Sequence, residues 1–199
     1  MEGPQEEDGL GKLTMTPRQR VMTALRGECP DRTPFIYPLR SSTIERELRN
    51  RGMCMEGHVP SFEYYPRNVD MKSIHYRDEK RRQLVKTFYT TPYGDLSTLV
   101  QPAEFTEWRR EFLFKSPEDY RALRYMIENT VVEPRYEEAL KVISDLGEDF
   151  AFLDFVSYSP LQEIIYTYMG TETFCYEWAD NRDEILKLYK ALEERNRKI

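Results

Sequence analysis

Apolar positions along the chain fall into two rhythms, and the punctuation around them sets the element boundaries. Thr16 precedes Pro17, and Gln19 follows three positions after the threonine. That is a capping box with proline at the first helical position. It predicts a helix with Val21, Met22 and Leu25 on its apolar face, ended by Gly27, with Pro30 preventing continuation. The same pattern recurs at Ser116-Pro117-Glu118-Asp119, which opens a helix over Tyr120, Leu123, Tyr125, Met126 and Ile127. Its acids sit in the first turn, where the macrodipole favours them. Pro134 to Leu146 carries Tyr136, Leu140 and Ile143 and stops at Gly147. Ser159-Pro160 starts a helix through Leu161, Ile164, Ile165 and Tyr168, closed by Gly170. Asp180 caps a last helix with Ile185, Leu186, Leu188, Tyr189 and Leu192 inside.

Strand patterns are fewer. Pro34 to Leu39 and Phe150 to Val156 are short apolar runs between turn signals, and both read as buried strands of a parallel sheet. In Leu84 to Val100, two β-rich arms flank Pro92-Tyr93-Gly94-Asp95, a hairpin signal. A further strand is expected around Val69 to Tyr76. Buried strands alternating with amphipathic helices predict an α/β fold. Only about three core strands are visible, whereas a closed (β/α)8 barrel needs eight. The chain also runs out in a charged helix, ALEERNRKI, with no strand after it. The expectation is therefore a truncated domain over residues 15–199, preceded by a disordered acidic tail over residues 1–14.

Composition narrows the class. With 199 residues, 40% hydrophobic and 13% aromatic, the chain can bury a core. The net charge of −6 argues against nucleic-acid binding, which rests on a basic face. No apolar run approaches the roughly 20 residues of a membrane helix, and the N-terminus lacks a signal-peptide core. Three widely spaced cysteines, Cys29, Cys54 and Cys175, suit reduced thiols, so a cytoplasmic protein is expected. Gly-rich phosphate-binding motifs are absent. The basic group Arg77, Lys80, Arg81 and Arg82 reads as a solvated face or a contact for an acidic partner.

Four stretches together are similar to one family. MTPRQRV continuing ALRGECPDRTPF resembles the opening of uroporphyrinogen decarboxylase-like proteins, in which a helix leads through a turn into the first barrel strand. KTFYTTPYGDLSTLV resembles the hairpin of the methyltransferase branch of that superfamily, and FLFKSPEDYRALRYMIENT the helix after it. SYSPLQEIIYTYMGTETFCYEWADNRDEI resembles the segment after a middle strand. The likeness runs in order from about Met15 to Arg195. It implies a partial (β/α)8 TIM-type barrel with an N-terminal helix and an inserted β-hairpin, forming the N-terminal part of a longer enzyme. It implies methyl transfer between a corrinoid or small methylated substrate and a zinc-activated acceptor. The zinc ligands would lie in later strands outside this chain, with a corrinoid protein and a homo-oligomer as possible partners. The decarboxylase branch carries an Arg-Gln-Ala-Gly-Arg motif after the first strand. Here Leu39-Arg40-Ser41-Ser42-Thr43 keeps one arginine, which counts against porphyrinogen decarboxylation. A non-catalytic assembly module of the same fold is the alternative.

Several residues follow as site candidates. Arg40, just beyond the first strand, offers a planar fork for a carboxylate or phosphate, or is simply solvated. Tyr37 lines the pocket mouth or packs in the core. Asp154, an acid in an apolar strand, is the catalytic candidate: it orients a substrate, acts as general acid or base with a raised pKa, or makes an ion pair or cap. Tyr158 follows in the next loop as a hydrogen-bonding candidate. Cys54 and His58 have a metal-like spacing, but with His75 the only other histidine no zinc site within this chain is expected. Phe62-Glu63-Tyr64-Tyr65-Pro66 reads as a core strand or loop anchor, with a substrate lid or a dimer contact as the alternatives.

Overall fold

The computed structural model describes residues 15–38, 44–104 and 106–199. In chain order the elements are α1 (Pro17–Leu25), β1 (Phe35–Pro38), α2 (Glu45–Asn50), β2 (Met53–His58), β3 (Phe62–Pro66), β4 (Asp70–Arg77), β5 (Gln83–Thr91), β6 (Gly94–Pro102) and β7 (Glu107–Glu111). They continue with α3 (Asp119–Glu128), β8 (Thr130–Pro134), α4 (Tyr136–Leu146), β9 (Phe150–Leu153), α5 (Pro160–Glu163), α6 (Thr171–Asp180) and α7 (Arg182–Asn196). A π-helical stretch, Ile164–Met169, continues α5. Two compact units result: one holds the described residues up to Ser61 together with Pro134–Phe155, the other Phe62–Glu133 and Val156–Ile199.

The first unit is built on a parallel sheet in the order β1-β2-β9. Phe35 pairs with Met53, and Met55 with Phe150, so these side chains share one face. On that face Met53, Met55 and Phe150 pack with Ala139, Val142, Ile143 and Leu146 of α4 and with Leu48 of α2. The opposite face carries Cys54 and Ala151, which pack on Val21 of α1. The capping box at Thr16 forms as the sequence implies: Thr16 Oγ1 accepts the Gln19 N–H at 3.1 Å, and Gln19 Oε1 accepts the Thr16 N–H at 3.0 Å. Two arginines of α1 then tie the N-terminal side together. Arg18 donates to the carbonyls of Phe150 at 2.6 Å and Gly147 at 2.5 Å. Arg20 is 1% exposed and forks onto Asp31 at 2.5 and 3.0 Å. The Pro-Asp-Arg turn, itself at the surface, thus supplies the charge partner of a buried arginine.

The second unit combines a four-stranded antiparallel sheet, β4-β5-β6-β7, with the paired strands β3 and β8 and the helices α3, α5, α6 and α7. The hairpin expected at Pro92-Tyr93 is present: Thr91 pairs with Gly94, and Thr91 Oγ1 accepts the Tyr93 N–H at 3.1 Å. Leu123 and Ile127 of α3 pack with Ile164, Ile185, Leu188 and Leu192, all at most 2% exposed. In the β4–β5 turn Arg81 adopts φ +60°, a left-handed conformation that costs an L side chain about 1–2 kcal/mol. Arg81→Gly is expected to raise stability by about 0.5–1 kcal/mol net of the glycine's greater unfolded-state freedom, read as a shift of the urea midpoint without a change in slope.

Several expectations change in detail. The chain is mixed α/β with a three-stranded parallel sheet and antiparallel sheets, and no closed barrel is present among the described residues. Three parallel strands cannot close a ring that takes eight. The hairpin belongs to a larger sheet, and the strand expected at Val69 to Tyr76 is β4. The helix expected from Ser116 begins at Asp119, whose carboxylate accepts the N–H groups of Lys115 and Ser116 at 2.6 and 3.2 Å. The run Phe150 to Val156 ends as a strand at Leu153, and the Asp154 carboxylate accepts the N–H of the next residue, Phe155. Asn181, not Asp180, precedes the last helix, since residues Thr171–Asp180 form a helix of their own. The tail over residues 1–14 lies outside the described residues. Among those described, no helix is long and apolar enough to cross a membrane.

Candidate functional site

Parallel pairing brings the C-terminal ends of β2 and β9 side by side, with His58 opposite Leu153 and Asp154 next in the chain. Both Asp154 oxygens are engaged. Oδ2 accepts the Ser61 N–H at 3.0 Å and the Ser61 hydroxyl, and Oδ1 accepts the Phe155 N–H at 2.8 Å. The carboxylate therefore clips the loop after β2 to the loop after β9. Burial alone pushes its pKa up, but the Ser61 and Phe155 hydrogen bonds and nearby His58 outweigh this and hold it below the ordinary 3.8. Asp154 is thus an ionised acceptor at neutral pH, which corrects the expectation of a raised pKa. It can orient a donor or a cation, and it has no proton to give.

Asp154→Ala is expected to cost about 1–3 kcal/mol through the lost hydrogen bonds to a charged group. Because the folded-state pKa lies below the unfolded one, this contribution is in place above about pH 4 and fades as pH falls through the folded value. Urea titrations at pH 7 and pH 3 should show the gap between wild type and variant closing at the lower pH.

Arg40 lies outside the described residues. Tyr37 is 48% exposed and, by its pairing with Met55, shares the helix-covered face rather than the face of Glu56 and His58. Tyr158 belongs to the second unit, where its ring meets Tyr166 edge-on at 5.8 Å. Tyr37 makes no hydrogen bond to Asp154 among the described residues, whose carboxylate partners are Ser61 and Phe155, and the Tyr158 ring packs on Tyr166. Cys54 and His58 share one face of β2, but four residues of strand separate them by about 13 Å, too far for one ion. Cys54 is 1% exposed, its thiol donates to the Met55 carbonyl at 3.6 Å, and burial pushes its pKa up, so it is no thiolate. No group of three or more His, Cys, Asp or Glu side chains among the described residues could hold a metal. The described residues do not fit a zinc site.

A second constellation, in the other unit, has no counterpart among the expected site residues. Glu163, the last residue of α5, forks with Arg195 of α7 at 2.8 and 2.6 Å. Glu163 Oε1 also accepts the Tyr168 hydroxyl and Oε2 the Ser157 hydroxyl, at 2.8 and 2.9 Å. Arg195 donates further to Asn196 and lies over the Tyr64 ring at 5.3 Å. Burial pushes the Glu163 pKa up, but Arg195, Tyr168 and Ser157 together bring it below the ordinary value. Tyr168, wholly buried against Glu163, is pushed well above the ordinary phenol range. Tyr168 stands on the π-helical stretch, a geometry enriched at functional sites. A cavity of about 200 Å³ opens beside the pair. The capping box at Ser159 and Gln162 puts Glu163 in a first turn, but nothing in the local sequence ties it to Arg195, 32 positions on.

Comparison with models of known protein families, with curated proteins and with solved structures finds no match to this chain.

Proposed function

We propose that the chain is the N-terminal part of a uroporphyrinogen decarboxylase-like methyltransferase. Its reaction moves a methyl group between a corrinoid or small methylated substrate and a zinc-activated acceptor. One observation carries the reading. The parallel strands β1, β2 and β9 are direct neighbours in chain order; α2 lies in the first connection, and the second holds α3 and α4 together with strands β3 to β8. That order is how a singly wound barrel begins. Barrels of this kind build their sites at the C-terminal strand ends, where His58 and Asp154 sit. The ordered likeness from Met15 to Arg195 supports the same reading.

In this account the chain supplies one wall of a pocket. Asp154 is a positioning residue: it holds the Ser61 loop and presents a fixed negative charge at the strand ends. Arg40, just beyond β1 in the sequence, is proposed as a substrate contact. The described residues form no metal site.

The test uses the protein isolated from its native cells, incubated with methylcobalamin and a small thiol. The reading expects loss of the methylcobalamin spectrum with matching thioether formation, and no carbon dioxide from uroporphyrinogen. Carbon dioxide release without methyl transfer would overturn it in favour of decarboxylation. Neither activity would overturn it in favour of a binding module.

A further inference from the structure

The cavity beside Glu163 and Arg195 is built entirely from residues of the second unit. Its apolar lining comes from Leu113, Met126 and Ile127, and its aromatic lining from Tyr64, Tyr89 and Tyr168. At about 200 Å³ it has room for a single ring; a dry cavity of roughly 150 Å³ already accepts benzene.

Its polar equipment is mostly spent. Both Glu163 oxygens accept two hydrogen bonds each. Arg195 uses its Nε–H, one N–H of Nη1 and both of Nη2. The donors left over are the second N–H of Nη1 and the hydroxyls of Tyr64, Tyr89 and Thr167, none with an acceptor among the described residues. No fully buried side-chain oxygen or nitrogen lacks a partner, so the Tyr89 hydroxyl reaches open space. Burial pushes the Tyr89 pKa up, which keeps it a neutral donor.

These features define a ligand class. Arg195 is already neutralised by Glu163, so a charged guest would add an uncompensated charge to a low-dielectric site. The apolar and tyrosine lining favours a flat apolar body. The spare donors favour an oxygen on that body. We propose that this cavity binds a small neutral monocyclic aromatic carrying a hydroxyl, with its oxygen accepting from Tyr89 and its ring against Leu113, Met126 and Ile127. The site is independent of the methyl-transfer reading, since none of its residues lies at the strand ends of the first unit.

The experiment is titration of the full chain with phenol, toluene and benzoate, followed by the ¹³C-methyl resonance of Met126 and by calorimetry. Phenol is expected to shift that resonance saturably and to bind about tenfold more tightly than toluene, the worth of one hydrogen bond. Benzoate is expected not to bind. Tyr89→Phe is expected to weaken phenol about tenfold and leave toluene unchanged, and Met126→Trp, which fills the cavity, to abolish both. An unchanged Met126 resonance with millimolar phenol, in protein folded by circular dichroism, would overturn the proposal. So would phenol affinity that is indifferent to Tyr89→Phe, or benzoate binding as tightly as phenol.

Discussion

Arg195→Met is expected to destabilise the second unit by about 3–5 kcal/mol, because it strands the Glu163 carboxylate in the interior. The arginine side chain is 3% exposed and its partner's 7%, so water cannot take over the lost partner. Glu163→Gln should cost a comparable amount by the reverse route, leaving the guanidinium charge unmatched. The two together should cost less than the sum of the singles, since the double variant buries no unpaired charge. Both tryptophans, Trp108 and Trp178, lie in this unit, so fluorescence during urea unfolding reads it directly. The effect carries a pH signature. Glu163 has a folded pKa below the ordinary 4.5, so its contribution is in place above that pH and is lost as pH falls through the folded value. Wild type and Arg195→Met should therefore converge in acid. Additive singles, or a gap that does not narrow as pH falls, would show that packing rather than charge pairing dominates.

Phe150→Ala is expected to cost the first unit about 3–5 kcal/mol, the usual loss for a buried phenylalanine together with the cavity it leaves. Phe150 is 0% exposed and bridges the parallel sheet to α4 through Ala139, Val142, Ile143 and Leu146. Its backbone carbonyl also receives Arg18 at 2.6 Å, a bond the substitution leaves in place. The loss should therefore come from side-chain packing alone. Amide exchange in β2 and β9 measures it, and Phe150→Leu should recover most of the stability because it refills the volume.

What the sequence discloses and what it hides divide along physical lines. Helix caps are local: the capping box at Thr16 forms as read, and the helix start read at Ser159 is present, with a capping box to Gln162 besides. The Pro92-Tyr93 turn is equally local, and β5 and β6 follow from it. Strand β2 was hidden because its residues, Met53 to His58, carry little β-branched character and include a glycine. It is held by neighbours on both sides, β1 and β9, which no short window contains. Asp154 stood out as an acid in an apolar run. Its low pKa did not, because the Ser61 hydrogen bonds come from 93 positions away. The Glu163–Arg195 pair was hidden for the same reason: in the chain each looks like an ordinary helix-surface charge, and only tertiary packing makes them an interior pair.

The central claim is that β1, β2 and β9 open a larger singly wound barrel, and the most direct measurement is the intact mass of the native protein together with its solution mass. The account expects a single polypeptide well above 23.8 kDa, whose additional sequence supplies the strands beside β9. A native polypeptide of 23.8 kDa that is monomeric in solution would contradict it, because no chain would then be present to complete the sheet.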